Sequence, residues 1–288
     1  MTIAAINPGN YARRRIFSAF MDGLCGLAAA IGLVFLALIL YTLVQKGMTG
    51  MSATIFTRPM QTEGGGLANA IVGSLIQTGL GALIGAPLGI AAGIYLAEVG
   101  RNHPFAQVVR FVNDILLSAP SVLVGLFVYQ IVVMPMHGFS GMAGAIALAL
   151  LAMPVIARTT EDIVKLVPDS YREGSVALGA RTSTTITKVV LPAAFGGILT
   201  GILLAVARIS GETAPLLFTS FGNPGYSANL FNGGMASLPW AIYTYAKYPS
   251  NELNNMAWAG ALIITGGVLT LNVVSRLSHF LVSRGSNR

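Results

Sequence analysis

The chain alternates long uncharged stretches with short segments in which its charges gather. Residues 23–45, 64–97, 115–157, 189–207 and 253–275 contain no Asp, Glu, Lys or Arg. A helix crossing a bilayer needs about 20 mostly apolar residues, so each stretch can hold a span. The stretch 115–157 is too long for one and breaks at "MPMHGFSGM", where Pro135, Gly138, Ser140 and Gly141 supply turn chemistry. The pattern predicts six spanning helices, near 18–45, 67–97, 108–134, 141–161, 193–220 and 255–279. The expected fold is an all-α integral membrane protein with little mass outside the bilayer. Its segments are a tail (1–17), a first helix with its outer loop (18–66), a main transmembrane domain (67–280) and a second tail (281–288).

Within the second span, Gly81, Gly85, Gly89 and Gly93 recur at every fourth position. On a helix they form a smooth stripe against which another backbone can pack closely. The segment 168–192 reads differently. "SYRE" has the form of a capping box, with Ser170 as N-cap and Glu173 at N3. The helix it opens should end at Gly179 in the left-handed conformation, and Pro192 suits the first turn of the fifth span. A short helix, a glycine turn and a second helix make a compact knob. Between the fifth and sixth spans, Tyr226, Phe231, Trp240, Tyr243, Tyr245 and Tyr248 suit an interfacial belt, with a short helix expected around 237–246.

Composition agrees with the pattern. The 288 residues are 54% hydrophobic and 9% charged, with a mean hydropathy of +0.72. The net charge of +7 reads as a topology signal rather than a nucleic-acid patch. With the N-terminus inside, thirteen of the seventeen Lys and Arg fall on inner segments. Only Lys46, Arg58 and Lys247 fall outside, and both termini are expected in the cytoplasm. The arginines at 13–15 then anchor a retained first span, since its apolar stretch is too long for a signal peptide. A lone cysteine, Cys25, permits no intrachain disulfide and reads as a packing residue.

Several chemistries are excluded. None of the four lysines follows a glycine, so the chain has no Walker A sequence for ATP. His103, His137 and His279 lack metal-ligand spacing, and no metal site is expected. "GFSG" at 138–141 has the GxSG form of rhomboid intramembrane proteases. The topology puts Ser140 and His279 at opposite membrane faces, too far apart for a nucleophile and its base.

One basic residue remains unassigned, and it is Arg208. "RISGETAPLLFTS" places it four residues before Glu212 inside a run that is otherwise uncharged. On a helix the two can pair across one turn. Mutual neutralisation explains how the charges are tolerated but not why they are there, since an apolar pair would cost less. The alternative is a planar two-donor fork for a tetrahedral oxyanion in a water-filled path. Glu212 would then hold the guanidinium and limit how tightly the anion is retained, with Ser210 and Thr213 as neighbouring polar groups.

The knob carries a resemblance. "EGSVALGARTSTTITKVVLP" resembles the EAA loop of ABC importer permeases: Glu173, Gly179, Leu191 and Pro192 match its pattern, and Gly174 and Ser175 stand where the family has alanines. "ARISGETAPLLFTS", "PLGIAAGIYLAEVG" and "LLSAPSVLVGLF" resemble permease segments of the phosphate-specific importers, and one of their two permease types more than the other. The resemblance implies a type I importer permease in the bacterial inner membrane, with a cytoplasmic coupling helix. It assigns Ser170, Glu173, Ala177, Gly179, Leu191 and Pro192 to contact with an ATPase. It also implies a second permease subunit, an ATPase dimer that uses ATP and magnesium, and a periplasmic phosphate-binding protein. No cofactor falls on this chain itself. A permease for another oxyanion, or an ion-coupled anion transporter, would use Arg208 and Glu212 equally; the ion-coupled transporter would not need the knob.

Overall fold

The fold was analysed in a computed structural model that describes residues 8–61, 64–101, 103–227 and 229–285. Residues 1–7 and 286–288, the ends of the two expected tails, lie outside the described residues. The regular elements among the described residues are helices: α1 (Pro8–Gly50), α2 (Ala53–Thr57), α3 (Ala68–Ile94), α4 (Pro104–Ser118), α5 (Ser121–Val128), α6 (Gly141–Leu166), α7 (Asp169–Ala177), α8 (Thr182–Thr185), α9 (Leu191–Ile209), α10 (Ala214–Thr219), α11 (Leu238–Tyr245) and α12 (Asn251–Gly285). Among the described residues five helical runs are long and apolar enough to span a bilayer, and the pair α4–α5 makes a sixth, bent by 105°.

Two of the expected straight spans are broken. The third turns at Ala119 and Pro120, whose backbones are extended (ψ 137° and 131°). Proline pushes the residue before it out of the helical region, and a hydropathy pattern does not register that. The fifth does not run on to 220: α9 ends at Ile209, and the chain restarts at Ala214 as α10, with Pro215 in its first turn. At its other end that span begins earlier than expected. Thr182–Ile209 forms one helical run, with a π turn at Ile186–Val190 just before Pro192. Pro192 therefore lies inside the run, where its missing N–H removes an ordinary i→i−4 bond and Leu191 donates instead to Ile186 O in a π pattern.

The glycine stripe faces α6 along its whole length. Gly81, Gly85, Gly89 and Gly93 are all buried. A β-carbon at Gly89 would stand 2.8 Å from Met153 O, and one at Gly93 would stand 2.6 Å from Ala157 O. Only glycine lets the two backbones approach this closely. The apolar layer Leu148, Leu151, Ala152 and Ile156 of α6 then meets Ala205 and Ile209 of α9, with Leu216 of α10 alongside. A second cluster, with Leu67, Ala241, Tyr245 and Leu253, closes the end of the bundle that carries α11.

α11 begins one residue after the expected position, and its N-cap Ser237 accepts a bond from Trp240 N. It is packed into the bundle rather than lying free on it, since Leu238, Pro239, Ala241 and Tyr245 are buried. Tyr226, Phe231, Tyr243 and Tyr248 remain exposed around it.

Candidate functional site: an arginine at a helix break and an ion-tied knob

Arg208 occupies the last turn of α9, at the end of the bundle remote from α7. A cation there meets the negative end of the helix dipole, which favours its placement. The side chain is exposed on the isolated chain. The expected helical pairing with Glu212 does not form: the helix stops at Ile209, so Glu212 lies in the turn that follows, and no ion pair joins the two. Gly211 and Pro215 break the helix that would have aligned them. Glu212 and Thr213 are half-buried where the chain turns toward α10. Ser210 points elsewhere: its hydroxyl donates to Ala207 O at 2.8 Å, and it lines an apolar groove with Ile71, Leu75, Ile263 and Val268.

At the opposite end, α7 forms the expected knob with one correction. Its N-cap is Pro168 rather than Ser170, and no side chain caps it. Pro168 supplies an extended residue whose carbonyl accepts from Tyr171 N, and Asp169 places its charge in the first turn, so the helix starts two residues early. The C-terminus is as expected. Gly179 has φ +78°, its N–H donates to Val176 O at 2.8 Å, and Ala180 N donates to Ser175 O at 3.1 Å. This is a Schellman closure, which needs the left-handed residue. Glu173 and Ala177 are exposed, and Leu178 beside them is 91% exposed. Leu191 is half-buried and Pro192 exposed; both line a shallow depression with Thr187 and Phe195.

A set of charges not singled out from the sequence ties this knob to the bundle. Arg172 of α7, 14% exposed, donates to Glu98 through Nη2 (2.6 Å) and Nε (3.1 Å). It also donates to the carbonyls of Val167 (2.6 Å) and Val164 (3.0 Å) and to Asp169 (3.2 Å). Held by Glu98 first and Asp169 second, its guanidinium stays protonated even more firmly than an ordinary arginine. Nearby, Glu161 of α6 is 2% exposed and accepts bonds from Arg110 (2.7 Å) and Lys165. Arg110 continues to Leu96 O at 2.7 Å. In sequence these charges looked like ordinary inner-face residues; their burial depends on partners 50 to 75 positions away.

The string "GFSG" has a structural use. Ser140 is buried and caps α6 by accepting from Ala143 N at 3.1 Å. The side chain of His279 lies outside the described residues.

Comparison with known proteins adds identity to this geometry. Residues 85–287 match the family model described as the binding-protein-dependent transport system inner membrane component. The chain is 55% identical over 249 residues to the phosphate transport system permease protein PstA of Yersinia pestis, covering 85% of this chain and 84% of that protein. It is 51% identical over 266 residues to the protein of the same name in Haemophilus influenzae, covering 92% and 94%. In fold it is similar to a chain of the inward-facing MetNI methionine ABC transporter, with a TM-score of 0.61 at 19% identity, covering 77% of this chain and 96% of that one.

Proposed function

The chain belongs to the family of binding-protein-dependent transport system inner membrane components, and from that premise we propose that it is a permease subunit of an ATP-driven importer of inorganic phosphate. The observation that carries the substrate is the likeness to PstA proteins, at more than half identity along nearly the whole length. The observation that carries the energy source is the Gly179-closed α7, which presents exposed Glu173, Ala177 and Leu178 at one end of the bundle. Tyr171, Val176 and Leu178 all expose apolar side chains on or next to this short helix, and a cluster of that kind suits a docking surface better than bulk water.

In this reading α7 faces the cytoplasm and docks a PstB-type ATPase dimer, which binds the ATP and magnesium. Ser170, Glu173, Ala177 and Gly179 lie in or next to the docking helix, and Leu191 and Pro192 line the adjoining depression. The termini are cytoplasmic, and the loop that carries α11 meets a PstS-type periplasmic phosphate-binding protein. A PstC-type permease covers the face on which Arg208 is exposed. Arg208 is costly in lipid, so that face borders a protein or a watered path rather than acyl chains. A planar guanidinium offers a phosphate two parallel donors. Glu212 and Thr213 sit in the following turn, and Ser210 shapes the helix end, so the anion meets a break in the span rather than a straight helix.

Purification of the native complex separates this reading from an ion-coupled anion transporter. The chain should emerge with one other permease and an ATPase subunit. A homo-oligomer that carries phosphate without ATP would contradict it.

A further inference from the structure

The ties at the two ends of α3 join structures that otherwise belong to opposite faces of the molecule. At one end, Asn69 donates to the carbonyls of Asn223 (3.1 Å) and Pro224 (2.9 Å), and Ser74 accepts from Leu238 N at 2.7 Å. Gln77, fully buried, donates to Met235 O at 3.3 Å. Three polar side chains of one helix thus hold the loop that precedes α11 by its backbone. At the other end α3 passes into a π turn, Tyr95–Val99. Within that turn Leu96 O accepts from Arg110, and Glu98 receives Arg172 of α7. Between the two ends α3 lies along α6 through its glycines, with Ala86 and Ile90 packed on the same layer, so the two helices are in close contact over their length.

We propose that α3 carries motion between the two faces of the permease, and that Glu98, through Arg172, is the positioning residue that fastens α3 to α7. The proposal rests on the reading of α7 as the ATPase dock. Arg172 alone contacts three rigid pieces: the end of α6 by the carbonyls of Val164 and Val167, the start of α7 by Asp169, and α3 by Glu98. Removing Glu98 cuts only the last tie and leaves the knob's own bonds in place. The remaining link from this end to α7, Arg101 Nη2 to Asp169 Oδ1 at 3.4 Å, is long and solvent-exposed and holds little by itself, so a displacement of α7 would reach the loop that Asn69, Ser74 and Gln77 hold only weakly.

The test uses the assembled complex with its ATPase, a Cys25→Ala background and a reporter cysteine at Tyr226, exposed on that loop. The maleimide labelling rate is measured with and without ATP trapped by vanadate, in chains carrying Glu98, Glu98→Asp, Glu98→Gln and Glu98→Ala. With Glu98 present, trapping should change the rate by about fivefold or more, as a coupling of ordinary size would. The response should shrink along the series and fall below about twofold in Glu98→Ala, where only the exposed Arg101–Asp169 pair remains, while complex yield and basal ATP hydrolysis stay level. An undiminished response in Glu98→Ala overturns the proposal. So does a series in which response and assembly fall together, the mark of a merely structural role. Labelling needs no phosphate, so a failure of the substrate reading leaves it intact. A chain with Glu98 that shows no nucleotide response sinks the docking reading and this proposal together.

Discussion

Arg208 and Gly179 show two ways in which a single position becomes legible. Arg208 stood out as a charge where the surrounding residues forbid one, and Gly179 as a glycine where a helix must end. For Arg208 the account predicts that Arg208→Gln lowers phosphate uptake by about 10- to 100-fold, the worth of a charged hydrogen bond. Lysine there should restore little, because a point charge lacks the two-donor plane. With no ion pair to Glu212, changing both residues to glutamine should not rescue Arg208→Gln. Full uptake by the double variant would return Arg208 to a structural role. For Gly179, valine faces a left-handed backbone that costs an L-residue about 1–2 kcal/mol. Gly179→Val should insert normally yet lose binding-protein-stimulated ATP hydrolysis in the assembled complex. Glu161 and Arg172 were not legible in this way. Glu161 and Asp162 are adjacent carboxylates in one helix, and only the packing of α3 and α4 on α6 buries the first and leaves the second exposed.

At the scale of elements, the six hydrophobic runs and the glycine stripe were readable because both are periodic properties of composition. The breaks at Pro120 and after Ile209 were not. Hydropathy averaged over a window is continuous across a residue that cannot hydrogen-bond, so a broken span and a straight one look alike. The capping box failed for a related reason: the pattern was present, but Pro168 had already fixed the start of α7. The α3–α6 contact predicts a sharp size limit. Gly89→Val must push its side chain toward Met153 O and Ile156, and overpacking of this kind costs about 1–3 kcal/mol. Its melting temperature in detergent should fall well below that of Gly79→Val, where no atom lies within 4 Å of the added carbon. Equal losses would show that the stripe is not a packed interface.

For the whole molecule, the distribution of Lys and Arg predicts which end faces inward, and the fold puts Arg208 at one end of the run Thr182–Ile209 and α7 next to the other. In a Cys25→Ala background, a cysteine at Thr57 should label from outside intact cells and one at Ser183 only after permeabilisation. Labelling of position 183 in intact cells would invert the molecule and remove α7 from the ATPase side. The central claim is that this chain carries phosphate inward at the expense of ATP. Its most direct test is uptake of labelled phosphate into proteoliposomes holding the chain, its partner permease and the ATPase, with the phosphate-binding protein supplied on the outer side. The account predicts accumulation that requires enclosed ATP, disappears with a non-hydrolysable analogue and falls about 10- to 100-fold with Arg208→Gln. Phosphate accumulation that proceeds without ATP, or ATP-driven uptake undiminished in Arg208→Gln, would contradict it.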